Sequence, residues 1–497
     1  MSDTRSYALL LLLLLQLLLL VGVAGLAAIL SGRLSRRFGV PAPAVFLVAA
    51  AVYAAVVDGA GPHEKLVERI VTVALLCILF DGGMHIGWDR MRVSAAPVLL
   101  VGVLGTFLTT GAVSVAAHIL LGVSWYVALL VGTALAPTDP AVVFSVLGQR
   151  EVAGRSGTIL EGESGANDPV GIALLVSLLA AGSLTAGAAA ALVVAGQFAL
   201  QMGVGAVVGV VGGRALLWLM RHVSLPSEGL YPLRTLGAVL VLYGATTLAH
   251  GSGFLAVFVA GIVLGEEQAP FKREIERFHG APASLAEIIA FVVLGLTVDL
   301  DVLARTDVWL PALALFALLA MVIRPALVGV CLIPAKLGRG ETLFVLFAGL
   351  KGAVPILLGF LILHAGVPSA ERLYGVVVIV VVLSVVLQGG LVPTVADALR
   401  VPMHEVAPQP FALGVRLADE PENVLRLVVE RGSFADGSTV DAVADRAEGD
   451  HVWVNLVVRD QTLVHVRGTS TLQAGDEVVI SAGDANRQTL QGVFSRP

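Results

Sequence analysis

The chain has 497 residues, 57% of them hydrophobic and only 14% charged, with a net charge of −6 and a mean hydropathy of +0.91. Water-soluble domains carry about a quarter of their residues as charges, so this composition excludes an ordinary soluble enzyme or binding module. Apolar runs of roughly 20 residues recur along most of the chain, each long enough to cross a bilayer as a helix and unlike the short alternating segments of a β-barrel.

In chain order the pattern predicts thirteen spans: 7–30, 41–57, 69–87, 95–118, 124–147, 157–181, 187–220, 233–250, 252–265, 283–300, 309–333, 342–364 and 372–398. The first is too long for a signal peptide and is followed by Arg33, Arg36 and Arg37, so it reads as a retained helix. Alternate loops differ in basic residues, fifteen Lys and Arg on one side against five on the other. That asymmetry places the N-terminus outside an inner membrane and everything after residue 400 in the cytoplasm. Cys77 and Cys331 lie in apolar runs without metal-ligand spacing and read as packing residues.

Seven ionisable residues fall well inside these spans: Asp81, Asp139, Glu161, Glu163, Asp168, Arg324 and Lys351. A charge at the centre of a membrane helix costs about 2.5–3.5 kcal/mol on insertion scales, so a functional reason is expected for most of them. Asp81 and Glu163 are read either as buried charges or as residues snorkelling from a span end. In the sixth span Glu161, Ser164 and Asp168 stand at i, i+3 and i+7, one stripe of a helix. Counted from the cytoplasmic end near Gly157, Asp168 lies about 16 Å deep at 1.5 Å per residue. A carboxylate there can trade a proton for a metal cation, and the neighbouring Asn167 offers a neutral oxygen ligand.

The fifth span is interrupted at Pro137-Thr138-Asp139-Pro140, where the prolines cannot continue a helix. The twelfth is interrupted at Gly349-Leu350-Lys351-Gly352-Ala353-Val354-Pro355. Against a plain proline kink stands the charge carried by each break. Two broken helices in opposed halves point to an inverted-repeat transporter with its site at their crossing. Asp139 would neutralise positive half-helix ends and Lys351 negative ones. Arg324 needs a buried anion, and Glu161, in the same cytoplasmic half, is the expected partner in a structural ion pair.

Composition changes after residue 400. Residues 1–400 read as the membrane domain, 401–414, with Pro402, Pro408 and Pro410, as a linker, and 415–497 as a small cytoplasmic α+β domain. Its β-type runs are 424–430, 452–458, 463–466 and 477–480, with a helical stretch at 438–447. Nine arginines and fourteen acids in 400–497 argue against nucleic-acid or membrane-surface binding.

Together these segments resemble the monovalent cation/proton antiporters of the NhaP-like sodium or potassium/proton exchanger type. The resemblance rests on Phe80-Asp81-Gly82-Gly83-Met84, Thr138-Asp139-Pro140, Glu161-Gly162-Glu163-Ser164 followed by Asn167-Asp168-Pro169, Arg324, and Gly349-Leu350-Lys351-Gly352-Ala353. It implies alternating access at an ion site of Asp168, Asn167, Ser164 and the backbone near Thr138, a Glu161–Arg324 bridge, and a homodimer. The family often has Arg where Lys351 stands. The tail resembles the RCK-C (TrkA-C) ligand-binding module, on Arg459-Asp460 and Leu472-Gln473-Ala474-Gly475-Asp476-Glu477. That module implies a small cytoplasmic ligand, leans the substrate toward potassium and comes here without a dinucleotide-binding half.

No cofactor is expected. A cation channel or uptake subunit gated by the tail is the first rival reading, disfavoured because no TVGYG-type filter or charged ring is present. An intramembrane serine protease would use Gly162-Glu163-Ser164-Gly165 but lacks a histidine base at the same depth in the sequence. A purely sensory role leaves the intramembrane charges without a purpose. The sequence leaves potassium and sodium both open, and one carboxylate beside an amide predicts electroneutral exchange.

Overall fold

The computed structural model of the protein describes Gly22 and residues 41–57, 62–147, 150–152, 154–182, 188–227, 229–265, 271–405, 424–446, 452–459, 462–464, 466–482 and 487–495. The predicted span 7–30, apart from Gly22, lies outside the described residues, as do 406–414 of the predicted linker. The chain divides into two compact units, Met1–Pro408 and Gln409–Pro497.

The first unit is helical. Its elements are α1 (Ala42–Val56), α2 (Glu64–Leu99), α3 (Gly105–Leu121), α4 (Trp125–Leu135), α5 (Pro140–Leu147), β1 (Arg150–Val152) and α6 (Gly154–Ala181). They are followed by α7 (Ala188–His222), α8 (Leu230–Leu248), α9 (Gly253–Gly265), α10 (Lys272–Gly295), α11 (Leu300–Leu303), α12 (Thr306–Leu318) and α13 (Gly329–Leu332). The series ends with α14 (Arg339–Phe347), α15 (Ala353–His364), α16 (Ala370–Leu383), α17 (Gly389–Ala398) and β2 (Met403–Glu405). Among the described residues eight helical segments are long and apolar enough to cross a membrane, and three shorter apolar helices accompany them.

Where two spans and a loop were expected over 69–118, α2 runs on into a π-helical turn at Leu100–Leu104 and then α3. The break is a single residue, Gly87, at φ 65° and ψ 163°, a backbone conformation that glycine adopts without the Cβ clash of other residues. The helix expected at 283–300 begins instead at Lys272. Its first turns carry Lys272, Arg273, Glu274, Glu276 and Arg277, so an apolar count starts too late. The Gly-Gly of the Phe80–Met84 motif serves close packing. A Cβ on Gly83 would lie 2.5 Å from the Phe258 carbonyl oxygen, and one on Gly261 equally near the Phe80 carbonyl oxygen, so α2 and α9 touch backbone to backbone.

The predicted linker is not wholly irregular. Met403–Glu405 pairs antiparallel with Arg150–Val152, in the register Arg150↔Glu405, Glu151↔His404 and Val152↔Met403. Arg150 also donates to Asp397 Oδ1 at 2.8 Å. A three-residue strand has no periodic signature of its own and forms only because an edge partner is at hand.

The second unit is α+β. Its four-stranded antiparallel sheet has the order β3–β6–β4–β5, built from β3 (Val424–Val428), β4 (Val452–Arg459), β5 (Thr462–Val464) and β6 (Glu477–Ala482), with α18 (Val440–Arg446) and α19 (Arg487–Phe494). Its core is Val457, Val478, Ile480, Leu490 and Phe494. Arg459 donates two bonds to the buried Asp476, at 2.8 and 2.7 Å, and the Gln473 N–H adds a third at 2.8 Å.

Candidate functional site

The two interrupted spans meet. The Asp139 N–H donates to the Leu350 carbonyl at 2.8 Å, joining the break between α4 and α5 to the break between α14 and α15. Four half-helix ends converge there with unpaired backbone groups. The Lys351 ammonium donates to the carbonyls of Ala136 and Pro137, at 2.9 and 3.0 Å, just past the C-terminus of α4. Asp139 Oδ1 accepts the Ala141 N–H at 2.9 Å in the first turn of α5, and the Ala353 N–H at the start of α15 also reaches this carboxylate. Each charge thus sits at helix ends of opposite sign. Gly352 is required by the approach, since a Cβ there would lie 2.0 Å from Asp139 Oδ2. The Lys351 N–H is taken up by Ser384 Oγ at 3.1 Å, where α16 loosens into a π-helical turn at Ser384–Gln388.

Arg324 corrects the sequence reading. Its guanidinium binds Glu163, not Glu161, through two parallel bonds of 2.7 and 2.9 Å to Oε1 and Oε2. It also donates to the carbonyls of Leu346 and Val345 at 2.8 and 3.1 Å. Both side chains are almost fully enclosed, at 5% and 3% exposure. Residues 161 and 163 are about 200° apart around a helix, so a shared depth does not mean a shared face. Arg324 lies in the π-helical stretch Leu319–Val328 beside Pro325, where the widened turn aims it inward. Glu163 is therefore a buried partner rather than a snorkelling residue.

A cavity of about 1030 Å³ opens on the other face of α6. Asp168, Ser164 and Glu161 line it, and so do Asp139, Asp81 and Glu287. Asp168 is buried; its Oδ2 accepts the Ser164 hydroxyl at 3.4 Å, while Oδ1 is buried with no protein partner. A buried carboxylate oxygen without a partner, in a residue that lines a cavity, is a place for a proton, a water or a cation. Thr138 and Asn167 are not on the cavity wall. They hold each other, with Asn167 Nδ2 donating to Thr138 Oγ1 at 2.8 Å and Asn167 Oδ1 accepting the Thr138 N–H at 3.4 Å. Thr138 Oγ1 passes the contact on to Glu163 Oε1 at 3.3 Å. The amide expected to ligate a cation thus also ties the crossing to the Glu163–Arg324 pair.

Glu287 went unnoticed in the sequence because the late start assigned to its span put it near a helix end. In the described helix it is well inside α10.

The family profile described as "Sodium/hydrogen exchanger, transmembrane" matches residues 24–398. The chain belongs to this family. It is 31% identical over 478 residues to the K(+)/H(+) antiporter NhaP2 of Shewanella oneidensis, covering 94% of this chain and 81% of that protein. It is 34% identical over 451 residues to the K(+)/H(+) antiporter NhaP of Alkalimonas amylolytica, covering 90% and 75%. The Na(+)/H(+) antiporter NhaP of Pseudomonas aeruginosa is 27% identical over 347 residues, covering 65% and 79%. Among solved structures, the sodium proton antiporter MjNhaP1 of Methanocaldococcus jannaschii shares the fold, with a TM-score of 0.65 at 22% identity over 77% of this chain and 99% of that one. As a sodium/hydrogen exchanger family member, the chain carries its crossed breaks, its Arg324 pair and its Asp168 cavity within the matched residues.

Proposed function

We propose that this family member is a secondary antiporter that exchanges a monovalent cation for protons by alternating access, with Asp168 binding the two substrates in turn. The observation that carries the reading is the buried Oδ1 of Asp168, left without a protein partner in a residue that lines the cavity beside the crossing of the half-helices. Ser164 is the second oxygen ligand; Thr138 and Asn167 position the crossing, and Lys351 and Asp139 neutralise its helix ends. Potassium is the favoured cation, because the relatives from Shewanella oneidensis and Alkalimonas amylolytica, which cover 94% and 90% of this chain, are K(+)/H(+) antiporters. Sodium is the second reading, from the Pseudomonas aeruginosa relative.

One carboxylate that is neutral with a proton and neutral with a cation carries no net charge, so exchange is electroneutral and one for one. The protein is a homodimer in an inner membrane, and the unit after residue 408 is a cytoplasmic regulator that binds a small ligand. Purified protein in proteoliposomes tests the core reading: potassium or sodium added outside shifts the internal pH, and Asp168→Asn abolishes the shift while remaining folded. Cation-driven proton movement by Asp168→Asn refutes the role of Asp168. A rate that follows an imposed membrane potential refutes electroneutrality.

A further inference from the structure

Glu287 has no place in the scheme above, yet it is built into the same cavity. It is fifteen residues into α10 and Asp168 is fourteen into α6, or about 22 and 21 Å along helices that both begin at basic ends. Both line the cavity, and each has one buried oxygen with no protein partner. A carboxylic acid kept only for packing would use its hydrogen-bonding atoms on neighbouring groups; this one, in a residue that lines the cavity, leaves a buried Oε1 without a partner.

The surrounding charges restrict what Glu287 can do. On the cavity wall α2 contributes Asp81, His85 and Arg90, while the crossing and α6 contribute Asp139, Glu161 and Asp168. Arg150 and Arg155 also line it, but they are engaged with Asp397 and the Ala335 carbonyl. Of the other helices packed on α10, α1 brings no acid or base, α15 brings only His364 at its end, and Arg234 of α8 is bonded to the Leu219 and Val223 carbonyls. Lys351 is spent on Ala136 and Pro137. Glu287 therefore shares its space with four other carboxylates against two basic side chains, Arg90 and His85, the latter 3.5 Å from Asp81, and this excess of carboxylates cannot all be ionised at once without a proton or a cation between them.

We propose that Glu287 is the proton-relay residue of the exchange site. When a cation displaces the proton of Asp168, the Glu287 carboxylate accepts that proton through cavity water and then releases it toward the mouth. Asp168 goes from acid to cation-paired carboxylate while Glu287 goes from carboxylate to acid. Loss of the proton from Glu287 to water restores it, leaving one cation bound per proton released. A cavity of about 1030 Å³ has room for the connecting waters.

This inference rests on Asp168 as the carrier, and the test separates the two. Full-length wild type, Asp168→Asn, Glu287→Gln and Glu287→Asp are reconstituted, and uptake of radioactive rubidium or sodium is followed against cation concentration and pH. Glu287→Gln is expected to lower the maximal rate about a hundredfold, the scale of a lost proton-transfer group, with KM nearly unchanged. Glu287→Asp restores much of the rate. A small impermeant sulfonate buffer at high concentration accelerates Glu287→Gln but not wild type, an effect that a merely structural role would not produce. A wild-type rate in Glu287→Gln overturns the relay. So does a raised KM at unchanged maximal rate, which would make Glu287 a cation ligand, or a cation-binding but inactive variant that buffer does not rescue. Uptake by Asp168→Asn would instead overturn the carrier reading.

Discussion

Replacing Arg324 or Glu163 perturbs the most enclosed ion pair among the described residues of the membrane unit, and the size of the effect follows from what each partner leaves behind. Arg324→Ala strands the Glu163 carboxylate with only the Thr138 hydroxyl at 3.3 Å. Glu163→Ala strands a guanidinium that still has the Leu346 and Val345 carbonyls. Removing one member of a buried pair costs about 3–5 kcal/mol, so Arg324→Ala belongs at the upper end and Glu163→Ala at the lower. Glu163→Gln, which keeps a carbonyl oxygen toward Arg324, loses less than either. The double alanine variant no longer holds an unpaired charge and should recover about 2 kcal/mol of the summed losses. The assay is reversible unfolding in mixed micelles titrated with sodium dodecyl sulfate, read for the four corners of the cycle. A parallel cycle of Glu161→Ala with Arg324→Ala is expected to be additive, because Glu161 faces the cavity. Additive losses for Glu163 with Arg324, or coupling of Glu161 instead, would refute the pairing.

Gly352→Ala forces a Cβ to within 2.0 Å of Asp139 Oδ2 at the crossing; it should cost about 1–3 kcal/mol in the same titration and sharply lower exchange in proteoliposomes. A chain stopped at residue 408 keeps β2 and should exchange with an altered pH or ligand response, whereas one stopped at 401 loses β2 and should melt lower; equal melting of the two would show that the β1–β2 ladder contributes nothing. In the second unit burial pushes the Asp476 carboxyl up, but the Arg459 hydrogen bonds, the Gln473 N–H and the Arg459 charge together hold it below the ordinary carboxylate value. A lowered folded pKa stabilises fully above the ordinary value and is lost as pH falls through the lowered one. Protease resistance of the tail in the full-length protein should therefore fall as the pH drops below about 4, and Asp476→Asn should remove that acid-side dependence; an unchanged acid profile in the variant contradicts it.

The sequence made the crossing legible because Pro137, Pro140 and Pro355 deny the backbone its helical bonds and leave a charge beside each gap. Partner choice was less accessible. Glu161 and Glu163 have the same depth and charge, and only the rotation of α6 about its axis decides which meets Arg324. Asn167 carried the same ambiguity, since an amide beside a carboxylate can face an ion or a neighbouring loop. Glu287 was hidden by the charged first turns of α10, which an apolar count excludes from the span. The strand at Met403–Glu405 exists only through its partner twelve helices away along the chain, a non-local fact that local pattern does not carry.

That strand also has a mechanical side. Because β1 and β2 are antiparallel, the chain leaves β2 at Glu405, opposite Arg150, while β1 enters α6 beyond Val152 at the other end of the ladder. Tension applied at residue 405 along the strand axis therefore loads all the rungs together in shear against α6, instead of peeling them one at a time. The Arg150–Asp397 contact reinforces the same seam from the end of α17. A tug on the chain after β2 is thus shared between α17, through the chain itself, and the foot of the helix that carries Asp168, through the β1–β2 rungs.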